Sequence, residues 1–206
     1  MTTKKPIAKS PSAPSYLRVQ KVDVGGFQNN DVRSFEYLDR KDSVGVLIYH
    51  TDKEVFTWVK QFRIGQATKD GGTGIDYTIE PVAGMIDEGQ TPEEAAMREV
   101  EEEVGITGHK YSRWTSISSF LMCPGISNER MHLFLCEVEG QPLNVSGGLP
   151  GEEDIEVLHW SSGQTEQAFY RGEMANAQAM ILWQWVCLNR PSLVYERPLL
   201  SAEFEM

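Results

Sequence analysis

Apolar and polar positions alternate through residues 17–42, where Val22, Val24, Phe27, Val32, Phe35, Tyr37 and Leu38 stand among polar neighbours. A period of two predicts two or three antiparallel strands there, with Gly25-Gly26 and Asn29-Asn30 as turns. Residues 43–50 form a nearly continuous apolar run, the pattern of a strand covered on both faces. Asp52-Lys53 makes a turn, and residues 54–62 a second strand. The glycine-rich residues 69–74 predict an exposed loop, and 77–83 a further strand. Beyond residue 106, strands are expected at 111–120, 131–138 and 155–160, with Cys123-Pro124-Gly125 as a turn. Residues 142–154 hold three glycines and an acidic cluster, which predicts a mobile loop. A helix over 165–171 ends at Gly172. The helix expected at 175–189 carries Met180, Ile181, Trp183, Trp185, Val186 and Leu188, too much apolar surface to be exposed.

One segment, residues 84–106, breaks the strand pattern. Thr91 with Glu94 three residues later is a capping box, and Pro92 occupies the first helical position, where its missing N–H costs nothing. Gly105 supplies the left-handed residue that stops a helix. At 100° per residue Ala96, Met97, Val100 and Val104 make an apolar stripe, with Glu99, Glu102 and Glu103 along its edge beside Ala95. Glu99 and Glu103 stack one turn apart, and such like-charge pairs cost an isolated helix roughly 0.2–0.5 kcal/mol each. A solvated acidic face would explain three glutamates taken alone. Carboxylates converging beside a core face instead suit a hard cation, Mg²⁺ or Mn²⁺.

The surrounding residues favour the cation. Gly84, Arg98, Glu99, Val100, Glu102, Glu103, Gly105 and Ile106 match in register the box of the Nudix hydrolase family, Gly-x5-Glu-x7-Arg-Glu-U-x-Glu-Glu-x-Gly-U with U aliphatic. Gln90 is the one departure; it keeps the size and reach of the family's Glu and loses its charge. The resemblance covers roughly residues 30–190 and is closest to the ADP-ribose pyrophosphatase branch, the nucleoside diphosphate sugar hydrolases. Lys60-Gln61-Phe62-Arg63, the lead from Glu80 through Ala83 to Gly84, and Cys123-Pro124-Gly125 with Glu129 resemble that branch's motifs. It implies an α/β/α sandwich with a mixed sheet, preceded by a small antiparallel β unit. It further implies metal ligation by Glu99, Glu103 and the Ala83 carbonyl, with Glu102 assisting, and a loop glutamate acting on water. Glu153 matches that glutamate best, with Glu129 second, although residues 152–154 could equally be a plain acidic loop. Phe35, Glu36 and Arg40 resemble the stretch that stacks on and bonds the adenine, often across a dimer with exchanged N-terminal units; Phe35 as simple core is an equal alternative. Arg63 suits a phosphate clamp better than a structural ion pair, because its planar fork matches phosphate oxygens. Arg98 reads as structural, holding Glu99 or its neighbours.

Composition narrows the partners. The chain of 206 residues is 40% hydrophobic and 24% charged, an ordinary globular balance. A net charge of −11 argues against nucleic acid, which wants a basic face. The same field would repel a diphosphate unless cations screen it, so composition and motif both ask for metal. No run approaches the ~20 apolar residues that span a bilayer. Cys123, Cys136 and Cys187 are odd in number without zinc spacing, which suggests reduced thiols in a cytoplasmic protein. The expected organisation is a disordered tail at 1–16, the β unit at 17–42, a Nudix domain at 43–192 and a tail at 193–206. The expected activity is hydrolysis of a nucleotide sugar, ADP-ribose first, in a homodimer. GDP-mannose or a UDP-sugar is the alternative substrate, and a sensor that binds ADP-ribose without cleaving it the alternative class.

Overall fold

The computed structural model describes residues 17–26, 31–68, 77–140, 142, 146–147 and 155–195. Strands β1 (Arg18–Val24) and β2 (Arg33–Asp39) pair antiparallel as a separate two-stranded ribbon, with Val22 opposite Phe35 and Gln20 opposite Tyr37. The main sheet runs β7 (Tyr111–Leu121), β8 (Arg130–Val138), β3 (Ser43–His50), β4 (Val55–Phe62), β10 (Ile155–Ser161) and β9 (Ser146–Gly147). Only β3 and β8 pair in parallel among the described strands, which makes the sheet mixed.

Every residue of β3 is buried. Its alternate side chains serve two cores, as a period of two requires. Val44, Val46 and Ile48 pack with Ala96, Val100 and Val104 of α2 (Pro92–Val104). Leu47 and Tyr49 pack on the other face with Leu182, Trp183 and Val186 of α4 (Ala177–Asn189). The result is the expected α/β/α sandwich. Burying Leu182 or Leu47 contributes about 2 kcal/mol apiece at the usual transfer rate.

Three local expectations change. The strand expected over 77–83 is two strands, β5 (Tyr77–Glu80) on β4 and β6 (Val82–Met85) on β3, separated at Pro81, which has no N–H to give a ladder. The helix expected from 165 begins earlier: α3 (Ser162–Tyr170) is capped by Ser161, whose hydroxyl accepts from the Gln164 N–H while the Gln164 side chain returns to the Ser161 N–H. This is a capping box of the same kind as that on α2, and it was present in the sequence as Ser-x-x-Gln. A single helical turn, α1 (Ile64–Thr68), follows β4 where no helix was expected. Expected loops at 69–74 and 142–154 fall largely outside the described residues, as do the segments 1–16 and 196–206.

Candidate active site

Helix α2 is set by the signals its sequence carries. The Thr91 hydroxyl accepts from the Glu94 N–H at 3.2 Å, and Glu94 accepts from the Thr91 N–H at 2.8 Å. Gly105 closes the helix at φ 67°, sending its N–H back to the Glu101 and Val100 carbonyls. Packing of Ala96 and Val100 against β3 then fixes the rotation of the helix. That rotation places Glu99 and Glu103 inward, 9% and 5% exposed, while Glu102 stays at the surface.

The loop before the helix is shaped around Glu99. A Cβ on Gly84 would overlap the Glu99 carboxylate, so only glycine lets β6 pass this close to an acid. Arg98 ties loop and helix together. Its Nη2 donates to the Met85 carbonyl at 2.9 Å and pairs with Glu99 at 2.8 Å, and its Nη1 pairs with Glu102 at 2.8 Å. Burial opposes the Arg98 charge, yet Glu99 and Glu102 outweigh it and hold the guanidinium above its ordinary range. The bracing role read from sequence for Arg98 matches these contacts. Gln90 braces the same loop without charge, accepting from the Asp87 N–H at 3.2 Å.

Helix α2 and the strand before it form one wall of a cleft of about 570 Å³. Ala83, Gly84, Glu99, Glu102 and Glu103 line it on the α2 side. The rest of the lining, a second wall, includes Arg63 with Glu80 and Arg40 with Glu129. The Glu129 carboxylate accepts from Arg40 Nε and from the Ser43 hydroxyl, both at 2.8 Å. Arg63 engages Glu80 in a fork, Nε at 3.0 and 3.1 Å and Nη2 at 2.6 Å. The ion pair ranked second from sequence is thus what Arg63 makes here, while its side chain still lines the cleft. Glu80 is only 2% exposed and also accepts from Thr78 and from Gln178 at 3.5 Å. Sequence reasoning passed over Glu80 and Gln178 as site residues; apart from Thr78 on its own strand, Glu80 finds its partners in Arg63 beyond β4 and Gln178 on α4, so no local spacing announces the set.

Phe35 and Glu36 do not line the cleft within this chain. Phe35 is 45% exposed on the ribbon, so the alternative that it is simple core does not hold in the single chain. Glu153 lies outside the described residues.

The donors present suit a divalent ion in part. Glu99 and Glu103 offer hard carboxylate oxygens from adjacent turns at a buried position, and the Gly84 cradle keeps the Glu99 carboxylate against the strand. No group of three His, Cys, Asp or Glu side chains among the described residues is arranged as a metal cluster, and Arg98 engages both Glu99 and Glu102. A metal here would draw on Glu99, Glu103 and backbone oxygen, with Arg98 giving up part of its hold on these acids.

A mixed sheet between two helical layers, with an Arg-Glu-x-x-Glu-Glu helix packed on a glycine loop at the cleft, defines a class. The family model described as the NUDIX domain matches residues 39–178, and the chain belongs to that family. Relatives similar to it are pyrophosphatases named for nucleotide sugars. It is 34% identical over 163 residues to the ADP-ribose pyrophosphatase of Haemophilus influenzae, covering 77% of this chain and 72% of that protein. It is 32% identical over 151 residues to the GDP-mannose pyrophosphatase of Klebsiella pneumoniae, covering 73% of each. A solved structure titled as an ADP compounds hydrolase superposes with a TM-score of 0.60 over 89% of this chain and 91% of that one, at 19% identity, and supports the fold.

Proposed function

We propose that this chain hydrolyses the diphosphate bond of a nucleoside diphosphate sugar with the help of Mg²⁺ or Mn²⁺, with ADP-ribose, cleaved to AMP and ribose 5-phosphate, as first substrate. The observation that carries this is the buried Glu99–Glu103 pair, backed by Gly84, in the wall of a cleft large enough for a nucleotide. Glu99, Glu103 and the Ala83 carbonyl would hold the ion, with Glu102 assisting. When bound, the ion would screen the diphosphate and make its attacking water more acidic. Arg63, kept in plane by Glu80, would present guanidinium N–H groups to phosphate oxygens. Glu153 is assigned to orient or deprotonate water, and Glu129 is the second choice for that task.

Base recognition by Phe35, Glu36 and Arg40 needs a second chain, since the first two stand away from the cleft. A homodimer with exchanged N-terminal units would supply it. The ribbon supports this reading: Val22, Val24 and Phe35 are exposed on one of its faces, and a two-stranded ribbon is marginal alone. Light scattering would give a dimer mass, and a monomer would remove the exchange. Three free cysteines are consistent with a cytoplasmic setting.

GDP-mannose is the second reading, favoured by relatives of that name at 30–32% identity. Phosphate release from a panel of sugar nucleotides, coupled to phosphatase with and without Mg²⁺, decides between them. ADP-ribose should be turned over fastest, and chelation should abolish turnover. Faster release from GDP-mannose would reassign the substrate; binding of ADP-ribose without any release would make the chain a sensor.

A further inference from the structure

The loop that carries Glu129 is stitched to the end of β2. The Leu38 N–H donates to the Ile126 carbonyl at 2.8 Å, and the Asn128 N–H donates to the Leu38 carbonyl at 3.4 Å. The Asn128 side chain then grips the next two residues of that strand end. Its Oδ1 accepts from the Arg40 N–H at 2.9 Å, and its Nδ2 donates to the Asp39 carboxylate at 2.8 Å. One amide thus serves a donor and an acceptor in a single orientation, since the flipped amide would oppose oxygen to carboxylate and N–H to N–H. Immediately beyond these contacts, Arg40 and Glu129 meet at 2.8 Å in the cleft wall.

Arg40 and Met85 line not only the cleft but also an adjoining cavity of about 420 Å³, together with Arg18, Asp39 and Lys41. Arg40 therefore borders both spaces, while Glu129, which holds its guanidinium, lines the cleft alone. We propose that Asn128 is a positioning residue, which acts through Asp39 and the Arg40 backbone to set the Arg40–Glu129 pair and with it the selectivity among nucleotide sugars. This rests on the function proposed above. Asn128 itself does not line the cleft, so its effect has to pass through that pair.

The test is a double-mutant cycle of Asn128→Ala with Glu129→Gln, read as kcat/KM for ADP-ribose and GDP-mannose and as the Kd of ADP-ribose by calorimetry. Asn128→Ala should lower kcat/KM about tenfold and move the ratio between the two substrates at least about threefold, with little further loss in the Glu129→Gln background. Exchanging the partners, Asn128→Asp with Asp39→Asn, restores a donor facing an acceptor and should recover most of the selectivity, whereas Asn128→Asp alone sets two carboxylates together and should not. Additive losses in the cycle, an unmoved substrate ratio, or no rescue by the exchange would overturn the proposal. If the wild-type protein binds ADP-ribose without cleaving it, hydrolysis alone fails and the cycle is read on Kd. If it binds no nucleotide sugar, both proposals fall.

Discussion

The α2 wall of the cleft comes from one run of chain, whereas the rest of its lining, the second wall, is gathered from many. Glu99, Glu102 and Glu103 share a helix of thirteen residues, and Gly84 and Arg98 that brace them lie within the same box. Arg40, Arg63, Glu80, Glu129 and Gln178 come from the end of β2, the end of β4, β5, the loop before β8, and α4. A wall of the first kind keeps its geometry through local hydrogen bonds and one packed face. A wall of the second kind holds its geometry only while the whole sandwich does. Substitutions on the α2 wall should thus cost activity and spare stability, and those on the second wall should cost both.

The sharpest separation is expected from Glu103→Gln. Gln preserves volume and removes the charge, so turnover should fall about 10³-fold, the scale of losing a group that acts on developing charge, while the thermal midpoint holds or rises. Steady-state kinetics beside a thermal melt checks both halves. Turnover near that of the wild type would take Glu103 out of the reaction.

Gly84→Ala should come next. The added Cβ occupies the space of the Glu99 carboxylate, and that flexible side-chain end gives way more readily than the strand. A displaced carboxylate on an intact fold should lower kcat about 10–100-fold, as small misplacements in active sites do. An equal loss of stability would instead show that the strand moved, and the α2 wall would then be as dependent on the whole fold as the second wall.

Arg63→Ala probes the second wall. It leaves Glu80 buried with Thr78 and Gln178 as its remaining partners. Arg63 is half exposed, so the ion pair itself is partly screened, and the net cost should be about 2 kcal/mol. KM should rise as well if the guanidinium receives phosphate. Denaturant unfolding and substrate saturation report the two effects. A rise in KM with stability unchanged would contradict the contrast between the walls.

The same contrast explains what could be read from the sequence. The capping box, the Arg-Glu-x-x-Glu-Glu spacing and the glycine loop are local, the first legible as a helix signal and the other two through the resemblance to the Nudix box. β3 and α4 were equally legible, because continuous apolar runs demand cover on both sides. Glu80 was not, since a buried acid whose charge partner Arg63 and amide partner Gln178 lie far along the chain leaves no local pattern. From sequence Arg63 suits phosphate because of its planar fork, and the carboxylate that satisfies the fork lies seventeen positions away on a neighbouring strand. The start of α3 was missed for another reason: its Ser161–Gln164 box is local, but the strand before it runs straight into the helix without a loop.

The smallest effect is expected at the cap of α2. Thr91→Ala removes the hydroxyl that accepts from the Glu94 N–H and donates to Glu94 at 2.9 Å, leaving the Thr91 backbone bond in place. The loss should be about 1 kcal/mol, which lowers the midpoint of a protein this size by about 2–4 °C. Backbone and side-chain hydrogen bonds from Thr91 hold the Glu94 carboxyl below its usual range, so the box is intact above that range and is lost as acid protonates Glu94. The gap between wild type and variant should therefore narrow on the acid side. Activity should change less than about twofold, since Ala96, Val100 and Val104 still seat the helix on β3. Were the cap mutant to lose turnover as Gly84→Ala does, the placement of Glu99 and Glu103 would depend on the helix end rather than on its packed face.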